Sequence, residues 1–159
     1  MSVQRTISQV SSFLVFALFT GIAPAQAQSY GSNISTDQAK KIAAGAVAEC
    51  QKNNWRTAVA IVDTGGALVY FERIDDTQVA SLKIAIDKAY AAATYRRPTR
   101  VWEGAMAKGR IAVITLAGVV ASPGGVPIVS GGKVIGAVGV SGATGDQDEQ
   151  CAKAGLAAM

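Results

Sequence analysis

The sequence predicts an α/β domain of the α+β type, with a mainly antiparallel five-stranded sheet and helices on both of its faces. Short β-branched segments joined by glycine turns indicate hairpins, whose strands pair antiparallel. Segments with apolar residues at every third or fourth position alternate with these hairpins and indicate helices. A chain of 159 residues suits one domain, and the sequence contains no internal repeat.

Helices are predicted at four places: from Ser35 or Thr36 to Asn53, at 78–95, at 100–107, and from Gly145 towards the C-terminus. Pro98 ends the second helix, because the residue before a proline is pushed out of the helical region. Thr99 is predicted to cap the third helix. Strands are predicted at 57–63, 67–73, 111–116, 126–130 and 133–141, with glycine turns after the first and the fourth.

The N-terminal segment, residues 1–27, is predicted to be a signal peptide. Arg5 gives it a positive start, residues 12–23 are apolar, and residues 25–27 read Ala-Gln-Ala, which matches a cleavage site. The alternative is an uncleaved anchor, but a bilayer span needs about 20 apolar residues. We therefore expect a mature domain of residues 28–159 that is periplasmic or secreted and has no membrane contact after cleavage.

Charge and cysteine content narrow the class of protein further. The formal net charge of +4 is scattered along the chain, without the block of Lys and Arg that marks a nucleic-acid surface. The sequence therefore predicts no nucleic-acid partner. Cys50 and Cys151 lie in predicted helices near the two ends of the domain, and in an exported protein they could form a disulfide. Two buried free thiols are the alternative.

Four segments of the chain resemble the GlcG/HbpS family: 59–73, 85–99, 124–128 and 136–149. The resemblance implies a profilin-like domain that assembles into oligomers, often octamers, and that binds haem or a related tetrapyrrole for storage, sensing or protection. Some members are found beside sensor kinases and others with oxidative catabolic pathways. A periplasmic oxidoreductase or a sensor is therefore an expected partner.

Haem iron is usually held by His, Cys, Met or Tyr, and this chain contains no histidine. Met106 is the candidate thioether ligand, with filling of a core gap as its alternative role. Tyr95 is the preferred candidate among the tyrosines, because the adjacent Arg96 and Arg97 favour a phenolate. A solvated helix end is the alternative for Tyr95, and Tyr90, on an apolar helix side, is expected in the core.

Haem propionates require cations, and Arg73, Lys88, Arg96 and Arg97 are the candidates. For Lys88 the alternative is an ordinary ion pair with Asp87 or Glu72. The backbone amides of Gly124 and Gly125 are candidate contacts to the ligand, and a simple turn that leads into a strand is the alternative.

Several other kinds of site are not expected. Asp146, Asp148 and Glu149 are predicted to cap the last helix in solvent, which leaves no metal site and disfavours phosphate binding there. Ser141 has no histidine partner, so a Ser-His-Asp hydrolase is excluded. Two alternatives to haem binding remain open. One is an enzyme acting on a small organic acid through Lys88, Arg97 and Asp63, with Arg97 holding the carboxylate and Lys88 near a carbonyl. The other is a non-catalytic accessory protein of a periplasmic oxidative pathway.

Overall fold

The computed structural model describes residues 29–159, so the predicted signal peptide lies outside the described part of the chain. Its elements are α1 (Thr36–Lys52), β1 (Ala58–Val62), β2 (Leu68–Arg73), α2 (Val79–Tyr95), α3 (Arg100–Ala107), a 3₁₀ helix (Ile111–Thr115), β3 (Gly125–Ser130), β4 (Lys133–Ser141) and α4 (Gly145–Ala157). None of the helices in residues 29–159 is both long and apolar enough to cross a membrane.

The four strands form one antiparallel sheet in the order β2-β1-β4-β3. The prediction of an antiparallel sheet is confirmed, but the prediction of five strands is wrong for the described residues. The missing strand is segment 111–116, which forms the 3₁₀ helix instead. Its backbone is satisfied locally, for example by the hydrogen bond from Val113 N to Arg110 O at 3.2 Å. Val113 is buried whereas Ile111 and Ile114 are 63% and 54% exposed, so the segment lacks the alternation of a half-buried strand.

Helices pack on the sheet through two separate clusters of buried side chains. Val59 and Ile61 of β1 join the cluster formed with α1 and α4, and the intervening Ala58 and Ala60 join the cluster formed with α2. Because side chains alternate along a strand, the two clusters lie on opposite faces of the sheet. The strand residues of the cluster towards α2 are mostly alanine, and Gly139 faces Ala89, so this helix comes close to the sheet.

The disulfide between Cys50 of α1 and Cys151 of α4 is present, with a Cα–Cα distance of 5.6 Å. Both cysteines are fully buried. The disulfide is therefore confirmed over two free thiols, and it ties the first helix of the domain to the last.

Two of the helix starts follow from a local sequence signal. Ser35 caps α1 and Thr144 caps α4, and in each case the cap and a glutamine three residues later exchange hydrogen bonds. Thr99 was expected to cap α3 but does not, because it lies in a helical conformation and its side chain makes no cap hydrogen bond. Its hydroxyl has a different partner, described below.

Candidate functional site

A buried ion pair between Lys88 and Asp148 lies where α2 crosses the end of β4. Lys88 Nζ donates to Asp148 Oδ2 at 2.8 Å and to the carbonyl oxygen of Val140 at 3.1 Å. Both side chains are only 2% exposed. The predicted partners of Lys88 were wrong: Asp87 pairs with Lys83 at 2.6 Å, and Glu72 accepts a hydrogen bond from Tyr70.

The acidic start of α4 is mostly inside the protein rather than in solvent as predicted. Asp148 Oδ1 accepts from the backbone N–H of Ala143 at 3.0 Å. Burial raises the pKa of Asp148, while Lys88 and the amides of Ala143 and Gly142 act in the opposite direction. Glu149 is also buried and pairs with the guanidinium of Arg100.

Three carboxylates were predicted to lie in solvent, and of these only Asp146 is exposed. It also pairs with Arg100, at 2.6 Å. The prediction failed for Asp148 and Glu149 because the start of α4 packs beneath the loop before β3. The charge of Asp148 is compensated by the buried Lys88 and by a backbone amide, and that of Glu149 by Arg100 and Lys153 at the surface.

Gly124 and Gly125 cover the buried pair of Lys88 and Asp148. A Cβ atom on Gly124 would lie 2.9 Å from Lys88 Nζ and 2.6 Å from the carbonyl oxygen of Val140, and its φ of 122° also favours glycine. The N–H of Gly125 donates to Thr99 Oγ1 at 3.0 Å, and the N–H of Thr99 donates back to Gly125 O at 3.0 Å. The amide of Gly125 is thus already occupied within the protein, and both glycines allow close packing over the buried pair.

Next to Thr99, two aromatic side chains and one guanidinium form a second group. The ring of Tyr95 packs edge-on against Trp102, with centroids 5.2 Å apart, and the guanidinium carbon of Arg97 lies 5.3 Å from the centroid of the Trp102 ring. Tyr95 donates its phenol proton to the carbonyl oxygen of Ala117 at 2.8 Å. Sequence reasoning missed Trp102, although an aromatic residue in the first turn after the Pro98-Thr99 helix break is the signal that could have identified it.

The remaining predicted ligand residues lie outside these two groups. Met106 follows Trp102 by one turn of α3 and is 37% exposed, so it does not fill a gap in the core. Arg73 ends β2 and is exposed, on the edge strand opposite to the one that contains Gly125. The structure therefore brings Lys88, Gly124 and Gly125 together, but not Arg73.

The residues suggested for an enzyme on a small organic acid are also not gathered in one place. Asp63 follows β1, and its Oδ1 accepts from the amides of Gly65 and Ala67 at 2.9 Å each. Lys88 lies nearer the other end of β1. The last residue of β1, Val62, pairs with Ala137 of β4, whereas Lys88 contacts Val140, further along β4. The Asp63 carboxylate organises a turn, and the geometry gives no observation in favour of this enzyme.

An apolar surface with cations at its edge is formed by α3 and the 3₁₀ helix. Its exposed apolar members are Val101, Met106, Ile111, Ile114 and Leu116. A groove of about 360 Å³ along α3, here called the α3 groove, has both apolar and basic lining: Val101, Gly104, Ala105, Lys108 and Arg110. Exposed apolar side chains next to basic ones are typical of sites that bind a ligand or another protein.

Few side chains of this protein can bind haem iron. Histidine is absent from the sequence, and both cysteines are held in the disulfide. Met106 offers a partly exposed thioether, and Arg97 offers an exposed guanidinium 5.3 Å from the ring of Trp102, which lies one turn of α3 before Met106. A soft iron ligand and a cation for a propionate are therefore both present on the surface.

Comparison with known proteins places the chain in a family. The family model described as haem degrading protein HbpS-like matches residues 34–157. Protein GlcG of Escherichia coli (strain K12) is 43% identical over 108 residues, which cover 68% of this chain and 81% of GlcG.

Solved structures agree with the sequence match. A double mutant of HbpS from Streptomyces reticuli superposes with a TM-score of 0.74 at 27% identity, covering 96% of this chain and 97% of that one. A PduOC:heme complex superposes with a TM-score of 0.73 at 25% identity, covering 80% and 95%. The chain belongs to the HbpS-like family, as the resemblance of its four sequence segments predicted.

Proposed function

We propose that the chain is an exported, oligomeric protein that binds haem or a related tetrapyrrole, in storage, sensing or protection. The observation that carries the proposal is the match of residues 34–157 to the family described as haem degrading. The similarity to a protein solved as a haem complex supports the same ligand. The periplasm, or the medium outside the cell, is the proposed location, since the first 27 residues have the pattern of a signal peptide.

The residues that would hold the ligand lie on the surface of α3 and at the end of α2. Met106 would supply the thioether to the iron, and Arg97 would donate to a propionate. Tyr95 is the alternative iron ligand, but its phenol would first have to leave the carbonyl oxygen of Ala117. Bound haem would supply the redox-active iron, and the apolar side chains of α3 and the 3₁₀ helix would shield the ring from water.

Lys88, Gly124 and Gly125 would act indirectly. They are buried beneath the corner where α2 ends and α3 begins, so they would position Arg97 and Trp102 rather than contact the ligand. Arg73 lies on the far edge of the sheet, and its role as a propionate partner is a separate part of the proposal. An Arg73→Gln variant tests that part by itself.

Oligomer formation is proposed because large apolar side chains are exposed along several elements of the domain. Leu68 and Val79 are 50% and 82% exposed, in addition to the residues of the apolar surface around α3. Exposed apolar surface is a feature of contact surfaces between proteins. Size-exclusion chromatography with light scattering of residues 28–159 is expected to show more than a dimer, and a monomer at micromolar concentration would contradict the proposal.

The test of haem binding is a titration of residues 28–159 with haemin, followed by absorbance. The wild type is expected to give a saturable shift of the Soret band, and Met106→Leu is expected to abolish it. Met159→Leu is the matched control, because this second described methionine is also exposed but lies at the C-terminus.

Tyrosine ligation is tested in the same way, with Tyr95→Phe compared with the control Tyr70→Phe. Loss of the shift in Tyr95→Phe alone would assign the phenol as the ligand in place of Met106. Arg97→Gln is expected to raise the haemin concentration at half-saturation several-fold, since a charge-assisted hydrogen bond is worth about 1.5–3 kcal/mol before screening by solvent. A wild type without saturable shift would refute the proposal.

A further inference from the structure

Tyr90 is held in a setting that neither the core nor the proposed haem surface explains. It was expected in the core, but it is 42% exposed. Its ring lies between two glycines: a Cβ on Gly66 would be 2.7 Å from Cε2, and a Cβ on Gly118 would be 2.7 Å from Cε1, on the other side of the ring. Both glycines have positive φ, 85° and 72°. Two backbone segments therefore fix the phenol ring in place.

The hydroxyl group at the end of this fixed ring is available. Within residues 29–159 it makes no hydrogen bond, whereas the hydroxyls of Tyr30, Tyr70 and Tyr95 all donate to protein oxygens. A polar group held rigidly and left without a protein partner is ready to bind a ligand, because little conformational entropy is lost on binding.

Tyr90 lines a cavity of about 200 Å³, together with Lys83, Asp87, Gly118, Val119 and Val120. A water molecule occupies about 30 Å³ of liquid, so this cavity suits a ligand of a few heavy atoms. Sites for drug-sized ligands are larger, about 300–1,000 Å³, and a tetrapyrrole is too large for this one. Its lining also shares no residue with the α3 groove, so the two sites are distinct.

The charges at the cavity wall are opposite and adjacent. Lys83 Nζ lies 2.6 Å from Asp87 Oδ2, and the two side chains are 81% and 39% exposed. An exposed pair of this kind contributes only about 0.3–0.5 kcal/mol, so its two members can readily turn to a ligand. The lining is neutral overall, which favours a ligand that carries both signs of charge. A simple carboxylate would face the Asp87 carboxylate and be repelled.

We propose that this cavity binds a small zwitterionic amino acid. The carboxylate of the ligand accepts hydrogen bonds from the Tyr90 hydroxyl and the Lys83 ammonium, and the ammonium of the ligand donates to Asp87. A short apolar side chain packs on Val119 and Val120. The proposal does not depend on haem binding, since none of these residues belongs to the α3 groove or to the group of Tyr95, Arg97 and Trp102.

Isothermal titration calorimetry of residues 28–159 tests the ligand class. L-alanine and L-valine are the probes, and propionate and ethylamine are the matched compounds that each carry one of the two charges. The amino acids are expected to give saturable binding, at least about tenfold tighter than either single-charge compound. No saturation with either amino acid would overturn the proposal, and so would binding of propionate as tight as that of L-alanine.

Variants test the residues. Tyr90→Phe keeps the ring between the glycines and removes only the hydroxyl, and it is expected to raise the Kd about fivefold to tenfold. Tyr70→Phe is the control and is expected to leave the Kd unchanged. Asp87→Asn is expected to reduce the preference for L-alanine over propionate. Equal Kd values for Tyr90→Phe and the wild type would refute the assigned contact, and a haemin titration of the same variants separates this result from any failure of haem binding.

Discussion

Replacement of Lys88 by methionine is expected to destabilise the protein strongly, although it introduces an apolar residue into a buried position. The change removes the hydrogen bonds to Asp148 and to Val140 O and leaves a carboxylate that is 2% exposed without its cation. A hydrogen bond to a charged group is worth about 1.5–3 kcal/mol and a neutral one about 0.5–1.5 kcal/mol. Loss of one member of a buried ion pair costs about 3–5 kcal/mol. We therefore expect the free energy of unfolding to fall by about 3 kcal/mol at neutral pH.

The assay is urea unfolding followed by circular dichroism, with a double-mutant cycle. Asp148→Leu in the Lys88→Met background removes the unpaired carboxylate, so the double variant is expected to be more stable than Lys88→Met alone. Lys83→Met with Asp87→Leu is the matched control on the same helix, because this pair is exposed and is expected to contribute less than about 0.5 kcal/mol. The reasoning would be refuted if Lys88→Met lowered the free energy of unfolding by less than about 1 kcal/mol and no more than the control does.

The pH dependence gives an independent check of the same pair. A carboxyl whose pKa is raised on folding favours the folded state below its ordinary value, 3.8 for Asp148, and loses that contribution as the pH rises through its folded-state pKa. Lys88 lowers this pKa, so the pKa of Asp148 rises further in Lys88→Met. The destabilisation by Lys88→Met is therefore expected to shrink as the pH falls from neutral towards 3.8. A destabilisation that grows in this range would contradict the pairing.

Three further predictions concern the sheet, the disulfide and an exposed tyrosine. Gly139→Ala is expected to destabilise the fold by about 2–3 kcal/mol in urea unfolding, because its Cβ would lie 2.5 Å from the backbone nitrogen of Ala89; an unchanged midpoint would contradict this contact. Reduction of the disulfide, which closes a loop of 101 residues, is expected to lower the stability by up to about 4–5 kcal/mol on the chain-entropy account, and equal melting with and without reductant would refute it. The charge of Glu72 raises the pKa of Tyr70 above 10.0, so an ultraviolet titration of Glu72→Gln should show one tyrosine ionising at lower pH, and an unchanged curve would count against the contact.

The fold was predictable where a local signal and the tertiary environment agree. The glycine turns at 64–66 and 131–132 predicted two hairpins that the structure contains, and the helical periodicity of α1 predicted its buried side from Ala39 to Cys50. Segment 111–116 shows the opposite case. Its β-branched residues favour a strand, but no neighbouring strand edge pairs with it, so local hydrogen bonds satisfy its backbone as a 3₁₀ helix.

The pairing at the candidate site was less predictable, because it joins residues distant in the chain. Lys88 and Asp148 are 60 residues apart, and nothing in either local sequence points to the other. Helical geometry alone disfavours an ion pair between Lys88 and Asp87, because adjacent residues on a helix do not face each other. Asp87 instead pairs with Lys83, four positions earlier. The two acceptors of Lys88, Asp148 and the carbonyl oxygen of Val140, both lie outside α2.

The positions of these residues separate a part of the domain that maintains the fold from a part that is exposed to ligands. Lys88, Asp148, Gly124 and Thr99 form a closed set of contacts in which nearly every polar group has a protein partner, so this corner is rigid and has little capacity left for a ligand. The surface of α3 and the 3₁₀ helix is fixed to that corner through Trp102 and is largely exposed.

A ligand surface built in this way can change its side chains without disturbing the fold, because few of those side chains are needed for packing. Ile111 and Ile114 can therefore be replaced by polar residues with effects on stability within about 0.5 kcal/mol, as at other exposed positions. The same replacements should weaken haemin binding or self-association if that surface has either function. Selective loss of one of these two activities would then distinguish a haem surface from a surface between subunits.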